Sequence, residues 1–189
     1  MIHENWYPDE QLQKLKALAG RVKGIKGSVV EIGCWEGKST KVIVEAVHPD
    51  KVYCVDTWRG NVAESLVTGE QHITEQIVKE RDVLTEFIFN MNKAQGYYQV
   101  CQMECVEWLK SCKLPIKFCH VDASHDYYSV RNTLMLLKPM VVKCGVICGD
   151  DFIHAHAGRT DLAGGVERAV REVLPDFENN GNIWFWVNR

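Results

Sequence analysis

The sequence lacks three features that would each announce a particular kind of work. No run of eighteen apolar residues is present, so a membrane-spanning helix is not expected. Basic charge is not in excess: 22 Lys and Arg stand against 25 Asp and Glu, giving a net charge of −3. The electrostatic footprint of a nucleic-acid or anionic-membrane binder is therefore missing. No two of the eight cysteines form a Cys-x-x-Cys pair, which leaves zinc-ribbon and thioredoxin-like readings without support. The opening Met-Ile-His-Glu-Asn has neither the basic nor the apolar region of a signal peptide.

What is present is ordinary in bulk and specific in arrangement. A hydrophobic fraction of 46% and a charged fraction of 25% suit a globular protein, and 189 residues suit one domain with one sizeable core. Cys54, Cys101, Cys119, Cys144 and Cys148 lie in or beside apolar runs, where thiols act as small core residues. A reducing, cytoplasmic setting is the expectation.

The chain is organised around Val29-Val30-Glu31-Ile32-Gly33-Cys34-Trp35-Glu36-Gly37-Lys38-Ser39-Thr40. Three β-branched apolar residues predict a buried strand, the two glycines a tight turn, and Val42, Ile43, Ala46 and Val47 a helix. Glycines there let backbone approach a ligand, and the N–H groups of the helix start face the same space. The spacing is neither the G-x-G-x-x-G of a dinucleotide fold nor the G-x-x-x-x-G-K-[ST] of a P-loop. A second strand, Lys51 to Asp56, ends in an acid about twenty residues further on, placed to accept hydrogen bonds from the hydroxyls of a ribose.

Strands alternate with helices through the rest of the chain. Pro8-Asp9 opens a leading helix within residues 1–26, ahead of an α/β core over 27–189. Thr57 to His72 reads as a long irregular loop, and Ile73 to Met91 as one long helix with its apolar stripe in the core. Tyr97–Met103, Ile116–Asp122 and Val141–Cys148 read as strands three to five. Asn182–Val187 reads as a last strand with no helix after it. The pattern predicts a single-domain, doubly wound, Rossmann-like sheet, mostly parallel, with an antiparallel C-terminal edge strand.

Three acids fall at the carboxyl ends of neighbouring strands: Asp122, Asp150 and Asp151. Ligands bind at that edge of an open α/β sheet. Three converging carboxylates repel unless a cation joins them, and an all-oxygen set suits Mg²⁺ or a similar divalent ion.

The Glu31-x-Gly33-x-x-x-Gly37 turn resembles motif I of the class I S-adenosylmethionine-dependent methyltransferases. His120-Val121-Asp122-Ala123-Ser124-His125-Asp126-Tyr127, Leu137-Lys138-Pro139 and Gly149-Asp150-Asp151-Phe152 resemble the motif series of the small metal-dependent O-methyltransferases, the catechol and macrocin-type group. The resemblance spans roughly Val29 to Leu174. It implies methyl transfer from S-adenosylmethionine to a hydroxyl of a small-molecule acceptor, with Mg²⁺ or another divalent cation held by Asp122, Asp150 and Asp151. It further implies a cofactor site built from Glu31, Gly33, Cys34, Trp35, Gly37, Ser39, Asp56, Thr57, Glu104, Cys105 and Asp122. The catechol enzyme has a lysine base three residues after its first metal aspartate, where this chain has His125. Imidazole titrates near neutrality and suits a base beside Asp122, although a histidine at a helix start also caps or packs. Acceptor contacts are expected from Thr57–His72 and His154–Gly164, with His154 and His156 among them. A nicotinamide-dependent oxidoreductase shares the glycine turn and Asp56, and a non-catalytic cofactor-binding module is a third reading. Oligomeric state is left open.

Overall fold

The computed structural model describes residues 2, 3, 6–153 and 164–189. His154 and His156 lie outside them. The central sheet has seven strands in the order β3-β2-β1-β4-β5-β7-β6. β1 (Ser28–Ile32), β2 (Lys51–Asp56), β3 (Tyr97–Gln102), β4 (Ile116–Val121) and β5 (Val141–Gly149) run parallel. β6 (Glu178–Asn180) and β7 (Ile183–Val187) form a hairpin, and β7 pairs antiparallel with β5. β1 and β4 sit at the middle, and their residues are almost all sealed from solvent, as strands covered on both faces must be.

Helices cover both faces. α1 (Asp9–Gly20) and α2 (Lys38–Val47) pack together, and Leu15, Ile43 and Val44 join Val29, Val52 and Phe118 in one core. On the other face α7 (Tyr127–Leu137) and α8 (Gly165–Val173) close over Val30, Ile32, Ile147 and Trp184. α6 (Cys105–Ser111) adds Trp108 and Leu109 to that second core.

Three local expectations are corrected. The segment after β2 is not an irregular loop: α3 (Val62–Thr68) occupies it, its N-terminus capped by the Asn61 side chain accepting from the Glu64 N–H. Residues 73–91 are two helices, α4 (Ile73–Glu80) and α5 (Val83–Met91). Arg81 is extended (φ −150°) and Asp82 caps the new helix by accepting from Thr85 N–H. Nor is the apolar stripe all core, because Phe87 and Met91 are buried while Ile73 is 52% exposed. Finally, the last strand is antiparallel but does not form the edge. The exposed three-residue β6 lies outside it and blunts the edge with polar residues.

Candidate active site

A cavity of about 470 Å³ opens at the carboxyl ends of β1, β2, β4 and β5. Its floor is the turn after β1. Gly33 and Gly37 both have positive φ (86° and 87°), and Trp35 between them also lies in the left-handed region (φ 45°). Gly33 is pressed against β4: a Cβ there would meet the Asp122 carbonyl oxygen at 1.9 Å. The turn is thereby fixed to the strand that carries the first acid. Gly33, Cys34, Trp35, Ser39, Asp56, Thr57, Glu104, Cys105 and Asp122 all line the cavity. Glu31 and Gly37 do not. Gly37 faces Phe87 and Met91. Glu31 is fully buried behind the wall, 3.1 Å from His120 Nδ1, while Tyr7 Oη stands 3.1 Å from His120 Nε2.

Asp56 is the hub of the floor. Its Oδ2 accepts from the Cys34 and Trp35 N–H groups at 2.8 and 2.9 Å, and its Oδ1 from Trp58 N–H at 2.7 Å. Burial raises the pKa of this carboxyl, and the three N–H groups pull it back toward the charged form. The acid expected to meet a ribose therefore also shapes the loop after β1. Trp58 adds an indole N–H donated to Trp35 O at 2.9 Å, and Trp6 packs against the Trp35 ring.

The acids converge at the opposite wall. Ligand atoms of Asp122, His125 and Asp151 lie within 4.8 Å of one another. His125 Nε2 stands 2.8 Å from Asp151 Oδ2 and 3.8 Å from Asp122 Oδ1. Asp151 holds a left-handed backbone (φ 60°), a strained setting for a non-glycine residue, and it aims the carboxylate inward. Asp150 is buried, and its Oδ1 has no hydrogen-bond partner. Burial, then the charges of Asp122 and Asp151, push its pKa up to about 7. Burial opposes charge on His125, but its contacts with Asp122, Asp151 and Glu64 raise its pKa well above the usual value. The acids around it thus favour the imidazolium, which is not the form a base needs.

This arrangement makes a prediction for the metal-free protein. An Asp150 pKa near 7 folded against about 3.9 unfolded means that the native state holds the extra proton. Stability should therefore fall as pH rises from about 4 to about 7 and then level off. Asp150→Asn removes that loss. In chelator at pH 8 it should be more stable than the parent by roughly 2–4 kcal/mol, with little difference near pH 4. Thermal melts at the two pH values check this, and an equal or lower melting point at pH 8 contradicts it.

Sequence reasoning missed the residues that hold the wall in place. Asn61 Nδ2 donates to Ala123 O at 3.2 Å, and Ser124 Oγ donates to Asn61 Oδ1 at 3.0 Å. Glu64, fully buried, accepts from His125 N–H at 2.7 Å and pairs with His125 Nδ1 at 2.9 Å. Burial opposes its ionisation, yet the His125 contacts keep its pKa below the ordinary glutamate value. The signal was available: Asn61-x-x-Glu64 is the spacing of a helix cap with an acid at its third residue, which predicts α3.

A glycine-floored cavity at the carboxyl edge of a 3-2-1-4-5-7-6 sheet, with an acid ending β2, defines the class I fold of S-adenosylmethionine-dependent enzymes. A family model described as a methyltransferase domain matches residues 30–152, well over half of the chain. The chain belongs to this methyltransferase family. Among solved structures, the O-methyltransferase NovP superposes with a TM-score of 0.63 at 18% identity, covering 95% of this chain and 79% of that one. CalS11, a calicheamicin methyltransferase, gives 0.62 at 15% identity, covering 95% and 80%. An O-methyltransferase from Bacillus cereus in complex with SAH gives 0.58 at 14% identity, covering 97% and 82%. At these identities the likeness carries the fold. No curated protein matches the chain in sequence.

Proposed function

We propose that the chain moves a methyl group from S-adenosylmethionine to a hydroxyl of a small molecule, assisted by a divalent cation. The observation that carries the metal-assisted reading is Asp150 Oδ1, a buried carboxylate oxygen without a partner that feels the charges of Asp122 and Asp151, although the ligand atoms that cluster are those of Asp122, His125 and Asp151. Buried polar atoms left unpaired are rare, and one flanked by two like charges fits a cation's donor set. Asp122 and Asp151, with Asp150 or His125 completing the set, would hold the ion. When bound, the ion neutralises the acids and lowers the pKa of an acceptor hydroxyl.

The chain's own residues do the positioning. Asp56 and the Gly33–Trp35 turn bind and orient the cofactor, with Ser39 and Thr57 at the sides and Glu104 and Cys105 toward the adenine. Transfer is an in-line displacement, so catalysis consists largely in aligning sulfur, methyl and oxygen. His125, on the acid wall, takes the acceptor proton at Nε2 once the carboxylates beside it are compensated. The acceptor enters past α3 and the start of α4, where Val62, Ala63 and Ile73 line the cavity. The likeness to CalS11, a TDP-rhamnose 3′-O-methyltransferase of calicheamicin biosynthesis, and to the O-methyltransferase NovP is consistent with a small-molecule acceptor.

All eight cysteines are free thiols in the structure, and the setting proposed for the chain is the cytoplasm. No helix among the described residues is long and apolar enough to cross a membrane. The metal proposal is tested with crystals grown in Mn²⁺. An anomalous peak about 2.0–2.3 Å from carboxylate oxygens of Asp122 and Asp151 is expected. Full turnover in chelator, with no such peak, rejects the cation.

A further inference from the structure

Glu64 is a charged side chain with no solvent exposure, on a seven-residue helix that holds nothing else so deeply buried. Burying a carboxylate is costly unless its partners compensate, so the partners show what it is kept for. A capping box would spend it on the backbone N–H of Asn61. That N–H instead donates to Thr74 Oγ1 at 2.8 Å. Glu64 Oε1 accepts from the Asn61 side-chain amide and from the His125 backbone N–H at 2.7 Å, and it lies 2.9 Å from His125 Nδ1 as an ion-pair contact without hydrogen-bond geometry. His72 Nε2 lies 3.5 Å from the other oxygen. The backbone contact ties α3 to the β4–α7 turn, and the ring contact sets a carboxylate against Nδ1 as Asp151 is set against Nε2.

We propose that Glu64 is a positioning residue acting through His125: its carboxylate, held against the backbone N–H and Nδ1, turns Nε2 into the cavity toward Asp122 and Asp151. The logic is that of a carboxylate behind a working histidine, where the second nitrogen's partner sets tautomer and ring direction. It applies whether Nε2 accepts a proton from the acceptor or joins the cation's donor set. The proposal rests on reading His125 as part of the methyl-transfer site, but its geometry does not depend on turnover. It also gives α3 a task. The helix between cofactor and acceptor sides carries the residue that orients the acid wall, joined to it by the Asn61 contacts with Ala123 and Ser124.

The test uses the full chain labelled with ¹⁵N at histidine, in chelator at neutral pH, with His125→Asn to identify the His125 signals. In the parent, a low-field, slowly exchanging proton on Nδ1 is expected. In Glu64→Gln, of the same shape, that proton should exchange with water at least tenfold faster or vanish, while the fold is kept by circular dichroism. Glu64→Asp is read in the same way should Glu64→Gln fail to fold. An unchanged Nδ1 signal in a folded variant overturns the proposal, and so does loss of fold in both variants, which would make the carboxylate a fold element. If the signal changes as expected while His125→Ala keeps full turnover, the Glu64–His125 coupling stands and the role of His125 in methyl transfer fails.

Discussion

Gly33→Ala should cost on the order of 4–5 kcal/mol of stability, enough to remove most of what holds an ordinary domain folded. Two penalties add. The residue sits at φ 86°, where a side chain is strained, and its Cβ would meet the Asp122 carbonyl oxygen at 1.9 Å. That atom is backbone of the sheet, and the Asp122 N–H is itself bonded to Ile32 O at 2.8 Å, so neither strand can retreat cheaply. Gly69→Ala provides the comparison. It has a similar φ of 71° with nothing within 4 Å of the added carbon, so only the backbone strain of about 1–2 kcal/mol is expected. Chemical denaturation of both variants separates the terms, and a Gly33→Ala loss no larger than that of Gly69→Ala would refute the close approach.

His125→Ala should lower turnover by roughly 10²–10⁴-fold with cofactor affinity almost unchanged, if Nε2 takes the acceptor proton. The structure sharpens the demand on that residue. Asp122, Asp151 and Glu64 all favour its charged form, so base chemistry requires the acids to be compensated first. The variant also takes the imidazole from buried Glu64, which keeps the backbone N–H of residue 125 and the Asn61 amide, and some stability should be lost on that account. Rate per folded molecule is therefore the quantity to measure. Near-normal turnover per folded molecule would move the proton to solvent or another group.

The parts of the site that were legible in the sequence are those that local rules fix. The turn at Gly33 needs glycine, the acid ending β2 stands at a set distance from it, and Asp122, Asp150 and Asp151 follow apolar strands whose ends are easily read. What was illegible depends on contacts far apart in the chain or on weak signals. β6 is three polar residues with no apolar alternation, so nothing marks it as a strand until β7 pairs with it. The break between α4 and α5 turns on one cap, Asp82, within an apolar pattern that continues in helical phase. Glu31 belongs to the cofactor turn by position, but strand pairing carries it to His120, 89 residues away, behind the cavity wall. The state of His125 was legible only in part, because Asp151 from beyond β5 and Glu64 from α3 act on it together with its near neighbour Asp122.

Calorimetric titration of the purified chain with S-adenosylhomocysteine tests the central claim most directly. The account predicts one-to-one binding, weakened by about 1–3 kcal/mol in Asp56→Ala, the scale of losing hydrogen bonds to a charged acceptor. NAD should give no binding heat. Tight binding of NAD with none of S-adenosylhomocysteine, or undiminished affinity in a folded Asp56→Ala variant, would contradict it.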